Sequence, residues 1–325
     1  MAHNIDMSND RYNFAFADSI DRKEIWHGFG TQTTPGASLE DWKRDAGLDW
    51  EAFESPVIYQ VGLEQKMVSD KKVLYRSDTK ESLSVVGTGY KIVQPAEIVD
   101  FFDELMTLHG LKMSTMGSLD GGRRFWAMAD LGKDFETVRG DKIRGNFFVA
   151  TSMDGTLSTV AKTTSTRICC ANTLTVALGE NTKNIIKTSH RSVWDAKQVK
   201  IDLGLIDSGW STFAENMKRL ASVKMSDSDV DSYLANRFYD KTKNSDEQTW
   251  GAVKTVNGIK ALFKAGIGAE YAPNTAYNLL NAVTEFTDHY GVRKVDAGRK
   301  FMENSLGKGD DLKSEVYNDM IELMA

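Results

Sequence analysis

The spacing of apolar residues divides the chain into a part that alternates and a part that repeats every three to four residues. In PAEIVDFFDELMTLHG, Ile98, Phe101, Phe102, Leu105 and Leu108 share one face of a helix. Pro95 opens that helix and Gly110 closes it. SLEDWKRDAGL (38–48) predicts a short helix capped by Ser38, with Glu40 and Asp41 at its positive end. VLYRSDTKESLSVVG (73–87) has β-forming flanks around a polar turn and predicts a hairpin. After the Pro95 helix come two more hairpins, with turns at Asp120-Gly121 and Asp154-Gly155. The threonine-rich stretch beyond Lys162 then predicts a helix from about Thr166 to Leu178, capped by Thr164 or Ser165 and stopped by Gly179.

From about residue 200 onward the period is helical. LGLIDSGWSTFAENMKRLASV, SDVDSYLANRFYD, DEQTWGAVKTVNGIKALFKAG, TAYNLLNAVTEFTDHYG and LKSEVYNDMIELM all follow it, with Ser226, Ser245 and Asn274 as expected caps. LGKGDD (306–311) reads as a hinge. The expected class is α+β: an antiparallel sheet built from hairpins with packed helices over residues 1–200, followed by an all-helical region over 201–325.

Composition narrows the setting. The chain has 325 residues, 41% hydrophobic and 26% charged, enough to bury one large core or two. No basic leader precedes an apolar run and no 18-residue apolar stretch occurs, so no membrane association is expected. The only cysteines, Cys169 and Cys170, are adjacent, a spacing that disfavours a disulfide and suits a reducing, cytoplasmic compartment. They read as small core residues. The five histidines have no HxxxH spacing and no Cys-x-x-Cys occurs, so neither a metal nor another cofactor is expected.

Charge is uneven. Residues 121–200 carry 13 basic and 7 acidic side chains, within a protein of net charge -6. A basic middle between acidic ends is a candidate footprint for a polyanion, or a surface whose charges balance in space. Arg167 in a first helical turn, with Lys162 before it and Asn172 after it, could hold a phosphate and a base edge, or bridge to a carboxylate. GGRRFWAMAD places Arg123 and Phe125 on one strand face and Arg124 and Trp126 on the other, and cations beside rings suit single-stranded nucleic acid. KTSHRSVWDAK (187–197) adds His190 and Arg191 beside Trp194. These residues, Arg123, Arg124, Trp126, Lys162, Arg167, Asn172, His190 and Arg191, are the expected nucleic-acid contacts.

Enzyme signatures are missing from the sequence. Gly87-Thr88-Gly89 lacks the lysine and hydroxyl residue of a phosphate-binding P-loop, no G-x-S-x-G elbow occurs, and no acidic pair stands out from helix surfaces. Five ordered motifs, IWHGFGT (25–31), GLDWE (47–51), VVGTGYKIVQPAE (85–97), TSTRICCANTL (164–174) and TAYNLLNAVTEFTDH (275–289), resemble the phage/plasmid-like protein family, catalogued as a domain of unknown function. The resemblance implies a setting in bacteriophages and other mobile elements and names no reaction. Trp26, His27 and Gly28 match its Trp-His-Gly segment and read as a packed turn. In element order and charge alone, a helix, paired hairpins and a helix after the last strand are similar to phage single-strand annealing proteins of the RecT and Redβ type. That similarity implies a homo-oligomer that binds single-stranded DNA, anneals it without ATP and works with phage or host recombination proteins. The alternative is a phage protein that contacts a host factor through its acidic surfaces.

Overall fold

The computed structural model describes residues 7–8, 11–17, 19–20, 29–34, 36–167, 172–175, 185–192, 194, 206–291 and 297–324, with the main chain alone at 8, 108–109, 167, 172–175, 185, 206–208, 245, 297–299 and 301. Trp26, His27, Gly28, Cys169 and Cys170 lie outside these residues. Strands β1 (Met7–Ser8) and β2 (Arg11–Tyr12) form a small ribbon. The main sheet comprises β3 (Phe14–Phe16), β4 (Thr31–Gln32), β8 (Lys112–Leu119), β9 (Arg124–Glu136), β10 (Lys142–Ser152), β11 (Thr159–Arg167), β12 (Asn172–Thr175) and β13 (Ile185–Thr188). Its order is β12-β11-β10-β9-β8-β3-β4, with β13 beside the other half of β11. Every pairing is antiparallel except β3 with β4. A second sheet runs β5 (Ala52–Val61), β6 (Glu64–Arg76), β7 (Ser82–Gly87).

The expected class is what forms: α+β, with the helices concentrated toward the C-terminus. The hairpins at 73–87, 120–121 and 154–155 and the helix α2 (Pro95–His109) are present, and Gly110 ends α2 in the left-handed conformation. Ser38 caps α1 (Leu39–Asp45) through a capping box with Asp41. Asp120, Gly121 and Gly155 all adopt the positive φ that their turns require.

The helix expected over 166–178 does not form where the chain is described. Thr166 and Arg167 continue β11 opposite Arg144 and Ile143, and Asn172–Thr175 return as β12 with Arg167 facing Asn172. Thr163, Thr164, Thr166, Thr173 and Thr175 are β-branched, and their place beside a long central strand outweighs a local capping signal. The expected caps also move by one to four residues: Thr249 rather than Ser245 caps α5 (Trp250–Ala265), and Thr275 rather than Asn274 caps α6 (Ala276–Glu285).

Both faces of the sheet are covered. Phe147 meets Phe101 and Phe102 of α2 on one face. Phe148 and Lys162 stand opposite one another on the other face, toward α7 (Ala297–Leu306) and α8 (Lys308–Glu322). A second core lies among the helices, from α3 (Ile206–Leu220) and α4 (Asp227–Phe238) through α5, α6 and α8. Every residue of α6 is buried, as expected of a helix surrounded by others. Its polar groups are satisfied internally: Asn278 donates to the Phe263 carbonyl (2.7 Å) and Tyr277 donates to Asp141 (2.7 Å).

The two cores share elements, because Ile143, Phe135 and Val138 from the far end of the β9–β10 hairpin pack into the helical core, while Met302 of α7 packs into the sheet core. LGKGDD is not an open hinge. Only Gly307 interrupts the helices, and Asp310 is buried in the first turn of α8.

Gly117 allows the sheet to close over itself: a Cβ there would lie 2.8 Å from the Trp126 ring and 3.0 Å from the Asn13 carbonyl. Gly117→Ala is expected to cost about 1–3 kcal/mol through overpacking, measured by urea denaturation. An unchanged midpoint would show that Trp126 has room to shift.

Candidate nucleic-acid interface

The expected contacts separate into three groups. Trp126 is 1% exposed and packs against Phe14, so its ring cannot stack on a base. The alternation of β9 is as expected, but Phe125 is equally buried, because helices and neighbouring strands close both faces. Arg124 is committed to carboxylates, with Asp120 at 3.0 Å and Asp154 at 3.5 Å, and it donates to the Thr156 hydroxyl. Arg123, one residue earlier, is exposed and makes no ion pair among the described residues.

Lys162 is interior. It is 3% exposed, its ammonium donates to Asp310 (2.9 Å) and to the Ser305 carbonyl, and it has no path to a phosphate. Close by, Lys313 pairs with Asp288 at 2.7 Å, also buried. Burial lowers the Lys162 ammonium to about 8 despite the opposing pull of Asp310, and Lys313 adds to the lowering. Arg167 and Asn172 face each other as main-chain partners at the end of β11, so Arg167 is not in a helical first turn. Their side chains lie outside the described residues.

His190 and Arg191 come together at a cleft. His190 is buried, stacked on Tyr90 at 4.5 Å, with Nδ1 and Nε2 lying 3.0 and 2.9 Å from the carbonyl oxygens of Lys91 and Leu157. Its ring therefore joins three segments rather than reaching outward. Tyr90 donates its hydroxyl to the Ser152 carbonyl (2.6 Å), and burial pushes that phenol well above its usual range, so it remains a donor. Lys72 donates to the Tyr90 carbonyl (2.8 Å), and the Lys91 amide donates to the His190 carbonyl (2.6 Å). These bonds anchor the Gly87-Thr88-Gly89 loop against the residues that follow β13.

The cleft they frame has a volume of 760 Å³ and is lined by Asp70, Lys71, Gly87, Thr88, Gly89, Tyr90, Gly155, Ser158, Ser189, His190 and Arg191. Lys71 and Arg191 are exposed and have no carboxylate partner among the described residues. The Thr88, Ser158 and Ser189 hydroxyls and the Gly89 amide add neutral donors, while Asp70 supplies one negative charge. A second cleft of 580 Å³ lies across the 153–158 turn and holds Arg123, Arg124 and Thr156 together with the carboxylates of Asp120, Asp154 and Glu303, the first two of which pair with Arg124. The two together offer cations on either side of one hairpin turn. Among the described residues no group of three or more His, Cys, Asp or Glu side chains could hold a metal, and no helix is long and apolar enough to cross a membrane.

Sequence reasoning found Arg191 but missed Lys71 and the Gly87–Tyr90 loop. The loop was discounted because it lacks a P-loop lysine, yet its cation comes from the neighbouring strand, through the pairing of Gly87 with Lys71.

The fold is α+β, with an open cleft between the Gly87–Tyr90 loop and the residues that follow β13. The chain belongs to the family described as Domain of unknown function (DUF932), whose model matches residues 82–306. That span contains three of the five motifs, 85–97, 164–174 and 275–289, and includes most of the cleft. No curated protein and no solved structure matches the chain.

Lys162→Met should lower stability by about 3–5 kcal/mol by leaving Asp310 buried without its strand cation, and Lys162→Met with Asp310→Leu should recover most of that loss. The pH dependence has a defined sign. Between about 8, where folded Lys162 titrates, and its ordinary 10.5, the unfolded chain binds more protons, so this group makes the protein more stable as pH rises. Urea denaturation across that window should show the slope in the native chain and a loss of its Lys162 share in the Lys162→Met variant. Equal slopes would contradict the assignment.

Proposed function

We propose that this protein binds single-stranded DNA along the rim formed by Arg123, the 153–158 turn, Arg191 and Lys71, and that it serves strand annealing in mobile-element recombination without ATP. The observation that carries the reading is the pair Lys71 and Arg191, two exposed cations with no carboxylate partner among the described residues, facing an open cleft with hydroxyl and amide donors. Phosphates are drawn to such a surface without regard to sequence. The excess of positive charge in residues 121–200 supports this reading only in part, since Asp120, Asp154 and Asp310 neutralise Arg124 and Lys162.

The cleft contacts replace those expected from the sequence at Trp126 and Lys162, and His190 acts by holding the Gly87–Tyr90 loop in place. The similarity to RecT and Redβ type proteins lay in element order, and its final helix is replaced by β12. The mobile-element setting comes from the motif resemblance to phage/plasmid-like proteins.

Fluorescence anisotropy with a labelled oligothymidine tests the binding. Affinity should fall roughly tenfold or more between low and physiological salt, and Lys71→Ala with Arg191→Ala should reduce the salt slope by about 1.4, as for two lost single-strand phosphate contacts. Both residues are exposed, so the variant should keep its melting temperature. No binding at low salt would end the proposal. Binding without acceleration of duplex formation between complementary oligonucleotides would remove the annealing part alone.

A further inference from the structure

The β5–β6 hairpin extends beyond the body of the protein as an arm. Past Pro56 the two strands pair only with each other, Val57 with Val68 through Val61 with Glu64, and a two-residue turn at Gly62-Leu63 closes them. Gly62 has a φ of 61°, the positive value that such a turn requires at its first position. The arm is apolar yet exposed: Leu63 at the tip is 99% accessible, and Ile58, Tyr59, Val61 and Met67 are each about half exposed or more. Soluble proteins seldom leave such a ribbon uncovered.

β5 is also an edge strand. At its base the outer side is closed, because the Gln94 side chain donates to the Ala52 carbonyl and accepts from the Ala52 amide, both at 2.9 Å. Pro56, which has no amide hydrogen, ends that protected part. From Val57 to Val61 the sequence VIYQV carries no charge, proline or glycine, and among the described residues no strand lies along its outer side, away from β6. The devices that usually blunt an edge are confined to its base.

We propose that Val57–Val61 pairs antiparallel with the same segment of a second copy of this chain, about a two-fold axis near Tyr59, so that two three-stranded sheets join into one. A second copy fits for two reasons. The segment is uncharged, so a two-fold pairing brings no like charges together, and antiparallel edges are self-complementary. A two-fold axis near Tyr59 also sets Val57 beside the partner's Val61 and Ile58 beside the partner's Gln60, so the exposed apolar side chains of the edge meet across the seam. This inference is independent of the nucleic-acid reading, since the arm does not line the cleft.

Sedimentation equilibrium of the full chain tests it. The native protein should dimerise in a concentration-dependent manner, and amide exchange at Val57–Val61 should slow as the dimer forms. Ile58→Lys with Tyr59→Lys should weaken dimerisation by about tenfold or more while leaving the melting temperature of the monomer unchanged. Trp250→Lys, on a separate exposed apolar site, should not affect it. A native chain that stays monomeric, or a dimer that survives the arm substitutions, would overturn the proposal.

Discussion

A lysine in the middle of a strand has to be placed either in water or against a carboxylate, and Lys162 takes the second course. Its side chain leaves β11 on the face that α7 and α8 cover, and there it meets Asp310 in the first turn of α8. The pair sets the seat of the last helix, because moving α8 away would strand a charge on each side. Lys313 and Asp288 repeat the arrangement one turn further along, joining α8 to the end of α6. At the opposite side of the interface Tyr277 reaches Asp141 beside the β9–β10 turn. Two buried polar contacts, Lys162–Asp310 and Tyr277–Asp141, therefore register the helical core against the sheet, and Lys313–Asp288 fixes its helices to one another.

That closure decides where a ligand can bind. With α2 on one face of the sheet and the C-terminal helices on the other, no open basic groove runs across the strands among the described residues, and Trp126 and Phe125 contribute to the interior. Ligand chemistry is left to the ends of the hairpins. The turn at 153–158 lies between Arg123 on one side and Lys71 with Arg191 on the other, and His190 fixes the loop that shapes the second cleft. The proposed binding surface is a rim built by loops on the sheet, a common division of labour between scaffold and function.

The sequence showed the elements whose signals are local. Helix α2 has its proline, its apolar face and its glycine stop, and the later hairpins have Asp-Gly turns. It misled where partners distant in the chain decide the outcome. The 163–179 stretch has helix caps, but its β-branched threonines lie beside β10 and extend the sheet. The arm at 57–68 leaves no signal of this kind, since its strands have little buried face to produce alternation. Helix α7 also went unnoticed. For the site, Arg191 was legible as a cation among aromatics. Lys162, read with Arg167 as a phosphate contact, is buried instead, because nothing near it in sequence reveals that Asp310, 148 residues away, meets it. Lys71 and Gly89 were not legible as a unit, because strand pairing rather than sequence spacing brings them together.

The central claim is that single-stranded DNA lies on this rim and not on a sheet face. Photocrosslinking of the full chain to an oligothymidine, followed by peptide mapping, tests it most directly. The account predicts crosslinks in the peptides holding Thr88–Tyr90, Gly155–Ser158 and Ser189–Arg191, with none in the peptide interior containing Trp126. Crosslinks concentrated in the helical region beyond residue 206, with the rim peptides unmodified, would contradict it.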